Sequence, residues 1–227
     1  MHVIITFMKR PALVAIFAHP DDEAFGPAGT IKKYSETHDI YLICATRGEA
    51  GENHLGKKKK SIAEIREEEL KTSAKILGVK RVIFLDYIDG CLCNNQYHEI
   101  ANKIRSITDQ IKPEIFLTFE IRGVSGHLDH VAIAMITNYI FYKVQYVKKL
   151  MSYVILRETS DMLRDYFIHV PHGFRIERVD ETVDISKHWN TKKRALLAHQ
   201  SQKTDVSRTF KTMDKFPKVE YFLIHKK

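Results

Sequence analysis

Two short clusters of imidazole and carboxylate side chains follow separate runs of apolar residues. The clusters are His19-Pro20-Asp21-Asp22-Glu23 and His127-Leu128-Asp129-His130. Catalytic zinc sites bind the metal through three protein ligands and keep a fourth position open for water. The residue types in the two clusters therefore suit metal-assisted hydrolysis, provided that the fold brings the clusters together.

The spacing within the clusters suggests which side chains bind the metal. His19 and Asp22 are three residues apart across a turn fixed by Pro20, so both can point into one space. His130 can supply the third ligand, and three side chains remain for proton transfer and charge stabilisation: Asp21, His127 and Asp129. Each cluster taken alone also fits an ordinary turn or helix cap.

The elements that position these clusters alternate along the chain. Strands are predicted at 12–18, 40–45, 82–85 and 114–119, and helices at 23–35, 61–77, 96–111 and from 128 onward. Ser61 and Glu64 form a capping box before the second helix, and Gly78 ends it. In the C-terminal part, the pattern predicts strands at 152–156 and 175–184 and a helix at 189–199.

This alternation predicts an α/β fold: a Rossmann-like parallel sheet flanked by helices on both faces, with a smaller C-terminal extension. In the strand order 3-2-1-4, strands one and four are neighbours, and ligands bind at the carboxyl ends of the strands there. Functional groups should therefore follow residues 18 and 119. We expect a single domain over 1–227, with a core at about 11–150 and residues 151–227 completing the substrate pocket.

The composition narrows the class of protein. Hydrophobic residues make up 44% of the 227 residues and charged residues 28%, as in a globular chain. The longest apolar runs are too short for a membrane span, so we expect no stable membrane insertion. Three cysteines indicate a reducing, cytoplasmic setting. The formal net charge of +8 can indicate nucleic-acid binding, but the lysines lack interleaved aromatic residues, and we expect no nucleic-acid partner.

Motifs along most of the chain resemble one known family. They are Ala18-His19-Pro20-Asp21-Asp22-Glu23, Thr46-Arg47-Gly48-Glu49-Ala50-Gly51, Arg66-Glu67-Glu68-Glu69-Leu70, Asp89-Gly90, Gly126-His127-Leu128-Asp129-His130 and Ala195-Leu196-Leu197-Ala198-His199-Gln200-Ser201-Gln202. Over about residues 11–202 the sequence resembles the PIG-L/LmbE-like zinc-dependent deacetylases. The resemblance implies removal of an N-acetyl group from a small-molecule glucosamine conjugate.

The resemblance also implies a role for each site residue. The metal ligands would be His19, Asp22 and His130, the general base Asp21, and the oxyanion-stabilising histidine His127, oriented by Asp129. The implied cofactor is Zn²⁺, with another divalent metal left open, and no nucleotide cofactor is expected. The sequence departs from the family in two places. Val124 and Ser125 occupy the stretch where some members have a tyrosine that polarises the carbonyl, and Leu128 replaces a frequent proline.

Three further residues are candidates for substrate binding, each with a structural alternative. Arg47 could contact sugar hydroxyls or form a salt bridge with Glu49 or Glu52. Asp89 could accept sugar hydrogen bonds or belong to a simple turn. His199 could close over the substrate or pack within its helix. Arg66 could reach the site, although pairing with Glu69 or Glu23 is favoured.

Two other functions remain open from the sequence. The same chemistry could act on a non-sugar amide, which would make the chain a deacylase of another class. The histidines could also be structural in a non-catalytic basic binding protein. Metal content would separate an enzyme from such a binding protein. The oligomeric state is not readable from the sequence, and a homo-oligomer remains open.

Overall fold

A computed structural model of the chain describes residues 10–56, 59–164 and 168–227. Its strands are β1 (Ala12–Phe17), β2 (Asp39–Thr46), β3 (Arg81–Tyr87), β4 (Ile115–Phe119), β5 (Lys149–Val154), β6 (Glu181–Asp184) and β7 (Val219–Lys226). Its helices are α1 (Asp22–Phe25), α2 (Ala28–Ser35), α3 (Ile62–Leu77), α4 (Tyr97–Ile111), α5 (Leu128–Lys143), α6 (Arg157–Met162), α7 (Trp189–Leu197) and α8 (Lys203–Met213). Together they form an α/β fold, and the fold class predicted from the sequence is confirmed.

One seven-stranded sheet has the order β3-β2-β1-β4-β5-β7-β6. The first four strands are parallel and follow the predicted order, with Leu13 of β1 opposite Ile115 of β4. The C-terminal part extends the same sheet: β5 pairs parallel with β4, while β7 and β6 run antiparallel to their neighbours. The sheet is therefore mixed, and the antiparallel edge was not predicted.

Helices cover both faces of the sheet, as expected for parallel strands that are apolar on both sides. On one face, α2, α3, α7 and α8 pack over a core that includes Leu13, Leu42 and Phe222. On the other face, α4 and α5 pack over Val14, Ile43 and Phe116. The central strands β1 and β4 are buried along their whole length and form a rigid support for the residues that follow them.

The capping box predicted for α3 is present. The Ser61 hydroxyl accepts from the Glu64 backbone N–H, and the Glu64 carboxylate accepts from the Ser61 N–H. Gly78 ends the helix in the left-handed conformation at φ 81°. These caps supply partners for groups that a helix end otherwise leaves without one.

Several predicted boundaries were wrong. The helix predicted at 23–35 is two helices, α1 and α2, because Pro27 interrupts the helical backbone at the Gly26-Pro27 step. The strand predicted at 175–184 is a 3₁₀ turn at Ile176–Arg178 followed by the short strand β6. The helices α6 and α8 and the strand β7 were not predicted.

A buried ion pair joins the C-terminal part to the first helices. Lys192 Nζ lies 2.7 Å from Glu220 Oε1 and donates to the Gly26 carbonyl. The Glu220 carboxylate also accepts from the backbone N–H groups of Gly29 and Thr30, at the start of α2. This places an anion where the helix dipole favours one. Within the described residues, no helix has the length and apolarity that crossing a bilayer requires.

Candidate active site

The two sequence clusters meet at the carboxyl ends of β1 and β4. His19, two residues after β1, is buried with its Nδ1 atom 3.1 Å from His130 Nε2. His130 lies in the first turn of α5, which begins after the loop that follows β4. Neighbouring strands thus bring side chains that are 111 residues apart into contact.

Three candidate ligands converge on one space. His130 Nε2 lies 3.1 Å from Asp22 Oδ1, and His19 Nδ1 lies 3.9 Å from Asp22 Oδ2. In a tetrahedral zinc site with bonds of about 2.0–2.1 Å, the ligand atoms are about 3.3 Å apart. The separations of His130 Nε2 from His19 Nδ1 and from Asp22 Oδ1, both 3.1 Å, are close to this value, while the 3.9 Å distance to His19 Nδ1 is measured from the other oxygen of Asp22.

Each of these side chains is oriented by a partner on its far side. His130 Nδ1 lies 3.1 Å from the Gly123 carbonyl, which fixes the proton on Nδ1 and leaves Nε2 as a lone pair. Asp22 Oδ2 accepts from the backbone N–H groups of Ala18 and His19. Metal-bound histidines are commonly held in this way through the second ring nitrogen, which selects the ligating tautomer.

The far side of His19 carries two carboxylates. His19 Nε2 lies 2.9 Å from Asp89 Oδ1 and 3.1 Å from Asp129 Oδ2, so it donates to this pair. Burial lowers the pKa of His19. The hydrogen bonds to Asp129 and Asp89 and the charge of Asp22 outweigh burial and raise this pKa to about 10. The ring thus lies between carboxylates on both sides, and the site attracts positive charge.

Two other triads could also hold an ion, and both include His19. One comprises His19, His127 and His130, and the other comprises His19, Asp89 and Asp129. Both oxygens of Asp129 accept from backbone N–H groups, of Gly90 and Leu92, whereas only the Oδ2 atom of Asp22 accepts such bonds and its Oδ1 atom faces His130. We therefore favour the Nδ1 side of His19 as the metal-binding side.

Asp21 is held in a strained turn. Its φ is 131°, which a residue other than glycine rarely adopts. Arg66 stabilises this turn through two hydrogen bonds. Its NH2 atom donates to Asp21 Oδ2 at 2.9 Å and to the Pro20 carbonyl at 2.7 Å. Gly48 allows this approach, because a Cβ atom there would lie 2.5 Å from the guanidinium carbon. Strain of this kind is commonly found at functional positions.

Burial and charge adjust the pKa of the Asp21 carboxyl. Burial raises it to about 6, although the Arg66 guanidinium opposes this change. In contrast, His130 and His19 outweigh the effect of burial at Asp22 and hold the pKa of that carboxyl well below its usual range. The two adjacent carboxyl groups thus differ in pKa. Asp22 stays ionised, which suits a candidate metal ligand, and Asp21 can take up a proton near neutral pH.

His127 caps the N-terminus of α5 and faces the edge of the His19 ring, with 4.6 Å between ring centroids. Its Nδ1 atom accepts from the backbone N–H of Asp129 at 3.2 Å, which leaves the ring proton on Nε2. Burial and the charges of His19 and His130 lower the pKa of His127. The geometry therefore favours a neutral imidazole that donates through Nε2.

The residues expected to bind substrate occupy different positions. Asp89 is buried in the site, where its carboxylate contacts His19 and the Ala50 backbone N–H. Arg47 lies at the end of β2, where it pairs with Glu67 and Asp86 and stacks over Phe84. Its side chain does not pair with Glu49, whose carboxylate instead accepts from the Arg47 backbone N–H.

His199 lies behind the site, in a network of buried polar groups. Its Nε2 atom is 2.9 Å from Glu23 Oε1, which also accepts from the Ser73 hydroxyl. The other oxygen of Glu23 accepts from the Asp21 backbone N–H at 3.2 Å. His199 is fully buried, so in this structure it contacts Glu23 rather than an open cleft.

The segment after α7 docks onto α3 in the same network. The Ser201 backbone N–H and hydroxyl donate to the two oxygens of Glu69, each at 2.7 Å. The favoured pairing of Arg66 with Glu69 or Glu23 was wrong, because Arg66 reaches the site and pairs with Asp21. Sequence reasoning also missed the roles of Glu23 and Glu69, although two family-like motifs contain them. The partners of these residues lie in distant parts of the chain, so spacing alone could not identify the pairs.

The fold and the site define an α/β enzyme with a buried His/Asp cluster suited to a metal. Residues 14–141 match the family described as PIG-L, GlcNAc-PI de-N-acetylase. This match covers more than half of the chain, and the chain therefore belongs to the PIG-L family. Its members are amide-hydrolysing, metal-dependent deacetylases, which confirms the predictions of the family and of a C–N hydrolase.

One relative and two solved structures illustrate the range of similar proteins. A 1D-myo-inositol 2-acetamido-2-deoxy-alpha-D-glucopyranoside deacetylase from Actinosynnema mirum is 27% identical over 236 residues, covering 88% of this chain and 83% of that protein. N,N'-diacetylchitobiose deacetylase from Pyrococcus horikoshii has a TM-score of 0.68 at 23% identity, covering 96% and 84% of the two chains. GalB, a 4-carboxy-2-hydroxymuconate hydratase from Pseudomonas putida, has a TM-score of 0.69 at 17% identity, covering 96% of each. The fold alone therefore does not determine the reaction.

Proposed function

We propose that this chain removes the N-acetyl group from an N-acetylglucosamine-containing conjugate, with Zn²⁺ held by His19, Asp22 and His130. One observation carries the proposal: three lone-pair donors converge in a PIG-L chain, and each is turned inward by its own hydrogen-bond partner. Nitrogen and carboxylate oxygen are the ligands that catalytic zinc sites use. When bound, the ion would lower the pKa of a water molecule and polarise the acetamide carbonyl.

The residues around the proposed ligands supply the proton transfers. Asp21 accepts a proton from the attacking water, since its raised pKa of about 6 is close to the pH at which a general base works well. The same carboxyl can return that proton to the departing amine, so that water and amide become acetate and an amine. His127 donates its Nε2–H to the oxyanion that develops on the acetamide oxygen.

The remaining site residues orient these groups. We propose that Asp129 and Asp89 hold His19 through Nε2–H, as carboxylates do behind metal-bound histidines. In addition, the Asp129 backbone N–H fixes the tautomer of His127. Sugar contacts through Arg47 and Asp89 remain part of the proposal. His199 enters it as a support for Asp21 through Glu23, in place of direct closure over the substrate.

We also propose that the chain is one functional domain in which residues 151–227 complete the pocket. The docking of Ser201 on Glu69 and the Lys192–Glu220 pair support this arrangement. The free cysteines Cys44, Cys91 and Cys93 fit the cytoplasmic location proposed for it.

The test is acetate release from methyl N-acetylglucosaminide by the zinc-loaded chain. We expect turnover by the unaltered chain and a fall of about 10²–10⁴-fold in kcat for Asp21→Asn, with zinc retained, because a general base contributes to this extent. Ser207→Ala, in the helix α8, is the control. Turnover of simple acetamides in preference to any sugar would indicate the non-sugar deacylase. No acetate release with hydration of an unsaturated acid would indicate a GalB-like reaction.

A further inference from the structure

A strained turn precedes the second histidine cluster, in the loop between β4 and α5. Val124 has a φ of 61°, in the left-handed region that a β-branched residue rarely adopts. The Ser125 backbone N–H donates to the Gly123 carbonyl at 2.6 Å, which closes a γ-turn around Val124. A γ-turn with a positive φ at its central residue is the rare and strained form. Such strain persists where the surrounding structure requires the conformation, often beside a functional site.

This turn packs closely against the first turn of α5. Gly123 has a φ of 76°, and a Cβ atom added to it would lie 2.9 Å from His130 Cβ and 3.0 Å from the Val131 backbone nitrogen. Glycine is therefore needed at this position. The close approach brings the Gly123 carbonyl and the Ser125 hydroxyl to the same ring nitrogen of His130.

That nitrogen, His130 Nδ1, has two oxygen atoms within hydrogen-bond distance. It lies 3.1 Å from the Gly123 carbonyl and 3.2 Å from Ser125 Oγ. A carbonyl can only accept, so Nδ1 carries the proton, and Ser125 Oγ shares this proton as a second acceptor. The Ser125 hydroxyl in turn donates to the Gly123 carbonyl at 3.4 Å and accepts from the His127 backbone N–H at 3.4 Å.

Two acceptors on one ring N–H restrict the imidazole more than one acceptor does. Partners behind a metal-bound histidine fix its tautomer and orientation, and they make the ligating nitrogen more basic. At His130 the turn supplies both partners, one from its backbone and one from the Ser125 side chain. The opposite nitrogen, Nε2, then faces Asp22 Oδ1 at 3.1 Å.

Helix capping does not account for the Ser125 hydroxyl. The N-cap of α5 is His127, whose own Nδ1 atom accepts from the Asp129 backbone N–H. Ser125 lies two residues before this cap, and the shorter of the two hydrogen bonds that it accepts comes from the His130 side chain. The contacts of this hydroxyl therefore favour a role at His130.

We propose that Ser125 is a positioning residue for the metal ligand His130, and that the strained turn around Val124 holds its hydroxyl against Nδ1. This inference rests on the proposed function, which names His130 as a ligand, and it adds a residue that controls this ligand. Val124 and Ser125 occupy the stretch where some similar proteins have a tyrosine that acts on the substrate carbonyl. In this chain the side chain at 125 acts on a ligand instead.

The test is the zinc affinity of Ser125→Ala, measured by competition with a chelating dye. The Gly123 carbonyl remains as an acceptor in this variant, so we expect a loss of about 10-fold, at the lower end of the range for orienting groups. Ser125→Thr keeps the hydroxyl and should bind zinc as tightly as the unaltered chain.

Ser61→Ala is the matched control. The Ser61 hydroxyl also accepts from a backbone N–H, that of Glu64 at 3.2 Å, but it caps the start of α3. This variant should lose thermal stability, because an N-cap is removed, and it should keep its zinc affinity. It therefore shows whether lower stability alone weakens zinc binding.

Turnover of methyl N-acetylglucosaminide at saturating zinc gives a second readout. If the Ser125 hydroxyl acts through His130, excess zinc should return kcat of Ser125→Ala to near the value of the unaltered chain, with KM unchanged. A hydroxyl that acts on the substrate would instead leave kcat low at every zinc concentration.

The outcomes separate this inference from the proposed function. Equal zinc affinity of Ser125→Ala and the unaltered chain overturns the positioning role and leaves the deacetylation standing. Weak zinc binding by Ser125→Thr, or a kcat that excess zinc does not restore, also overturns it. The expected loss of zinc affinity without turnover of any N-acetylglucosaminide would support the role of Ser125 and overturn the proposed substrate. An unaltered chain that binds no zinc overturns both.

Discussion

Two clusters of buried or half-buried polar side chains lie next to each other at the carboxyl end of β1, and their charged groups find partners differently. The ligand cluster comprises His19, Asp22 and His130. The back network comprises Glu23, Ser73, Glu69, His199 and Ser201. In the back network, each carboxylate meets donors from the same chain: Glu23 accepts from His199 and Ser73, and Glu69 accepts from Ser201.

The ligand cluster lacks this balance. The protons on His19 and His130 point away from the cluster, toward Asp129 and the Gly123 carbonyl. The nitrogens that remain, His19 Nδ1 and His130 Nε2, face each other at 3.1 Å beside the Asp22 carboxylate, and without a metal ion they share a proton only because the raised pKa of His19 keeps that ring charged. A buried charge requires a partner. The carboxylates of the back network find their donors within the fold, although His199 Nδ1 is buried without a hydrogen-bond partner among the described residues, whereas the proposed function assigns a cation to the ligand cluster.

The largest effect should come from breaking the ligand cluster. Replacing His130 with alanine removes one of three proposed ligands, so zinc binding should weaken by more than the about 100-fold that the loss of an orienting group can cost. The measurement is metal content after equilibration with limiting zinc and gel filtration, together with thermal unfolding.

His98→Ala provides the matched control, because His98 lies on α4 and contacts Tyr97 and Tyr139 rather than the site. This variant should retain one zinc per chain. Equal zinc content in His130→Ala and the unaltered chain would contradict the assignment and point to the triad of His19, Asp89 and Asp129.

A smaller effect should follow from changing Asp129, which contacts His19 on the side of the ring that faces away from Asp22 and His130. Asp129→Asn keeps the shape of the side chain but removes the charge behind His19 Nε2. Zinc affinity should fall by about 10–100-fold, as for other orienting groups, because the imidazole becomes less basic and its tautomer is less fixed. Competition with a chelating dye would measure this change. A complete loss of zinc would instead make Asp129 a ligand.

The comparison also shows what the sequence could predict. The convergence of His19, Asp22 and His130 was predictable because His19 and His130 follow the carboxyl ends of adjacent parallel strands, and the order of those strands follows from the alternation of elements. The capping of α3 was predictable for a different reason, since Ser61 and Glu64 are local partners. Pattern and structure agree where the partners are close in the chain or where the alternation of elements alone brings them together.

The back network and the antiparallel edge of the sheet were not predictable in this way. The inward face of β7 contains Glu220 next to Phe222, and a buried glutamate hides the apolar alternation that identifies a strand. Glu220 is tolerated there because Lys192, on a helix 28 residues earlier, neutralises it. Likewise, His199 resembled a residue facing a cleft, because nothing near it in sequence shows that Glu23 lies against it.

The smallest effect should come from removing only the charge in the back network. Burial lowers the pKa of His199, but the charges of Glu23, Asp21 and Glu69 outweigh burial and raise it above the ordinary 6.5. A histidine whose pKa is raised by folding stabilises the folded state. This stabilisation is complete below the pKa that His199 has in the unfolded chain, and it is lost as the pH rises through the higher pKa of His199 in the folded chain.

The substitution His199→Gln keeps a donor for Glu23 and abolishes the titration. Urea titrations give the unfolding free energies of the unaltered chain and of His199→Gln, both without metal. The unaltered chain should be the more stable of the two, and the difference in free energy should be larger at pH 6 than at pH 8.5. Groups that do not interact with His199 titrate alike in both proteins, so their contributions cancel in the difference, whereas the loss of the His199 charge also raises the pKa of Asp21. A difference that does not change with pH would mean that His199 is neutral when folded, and that the back network is held by hydrogen bonds without an ion pair.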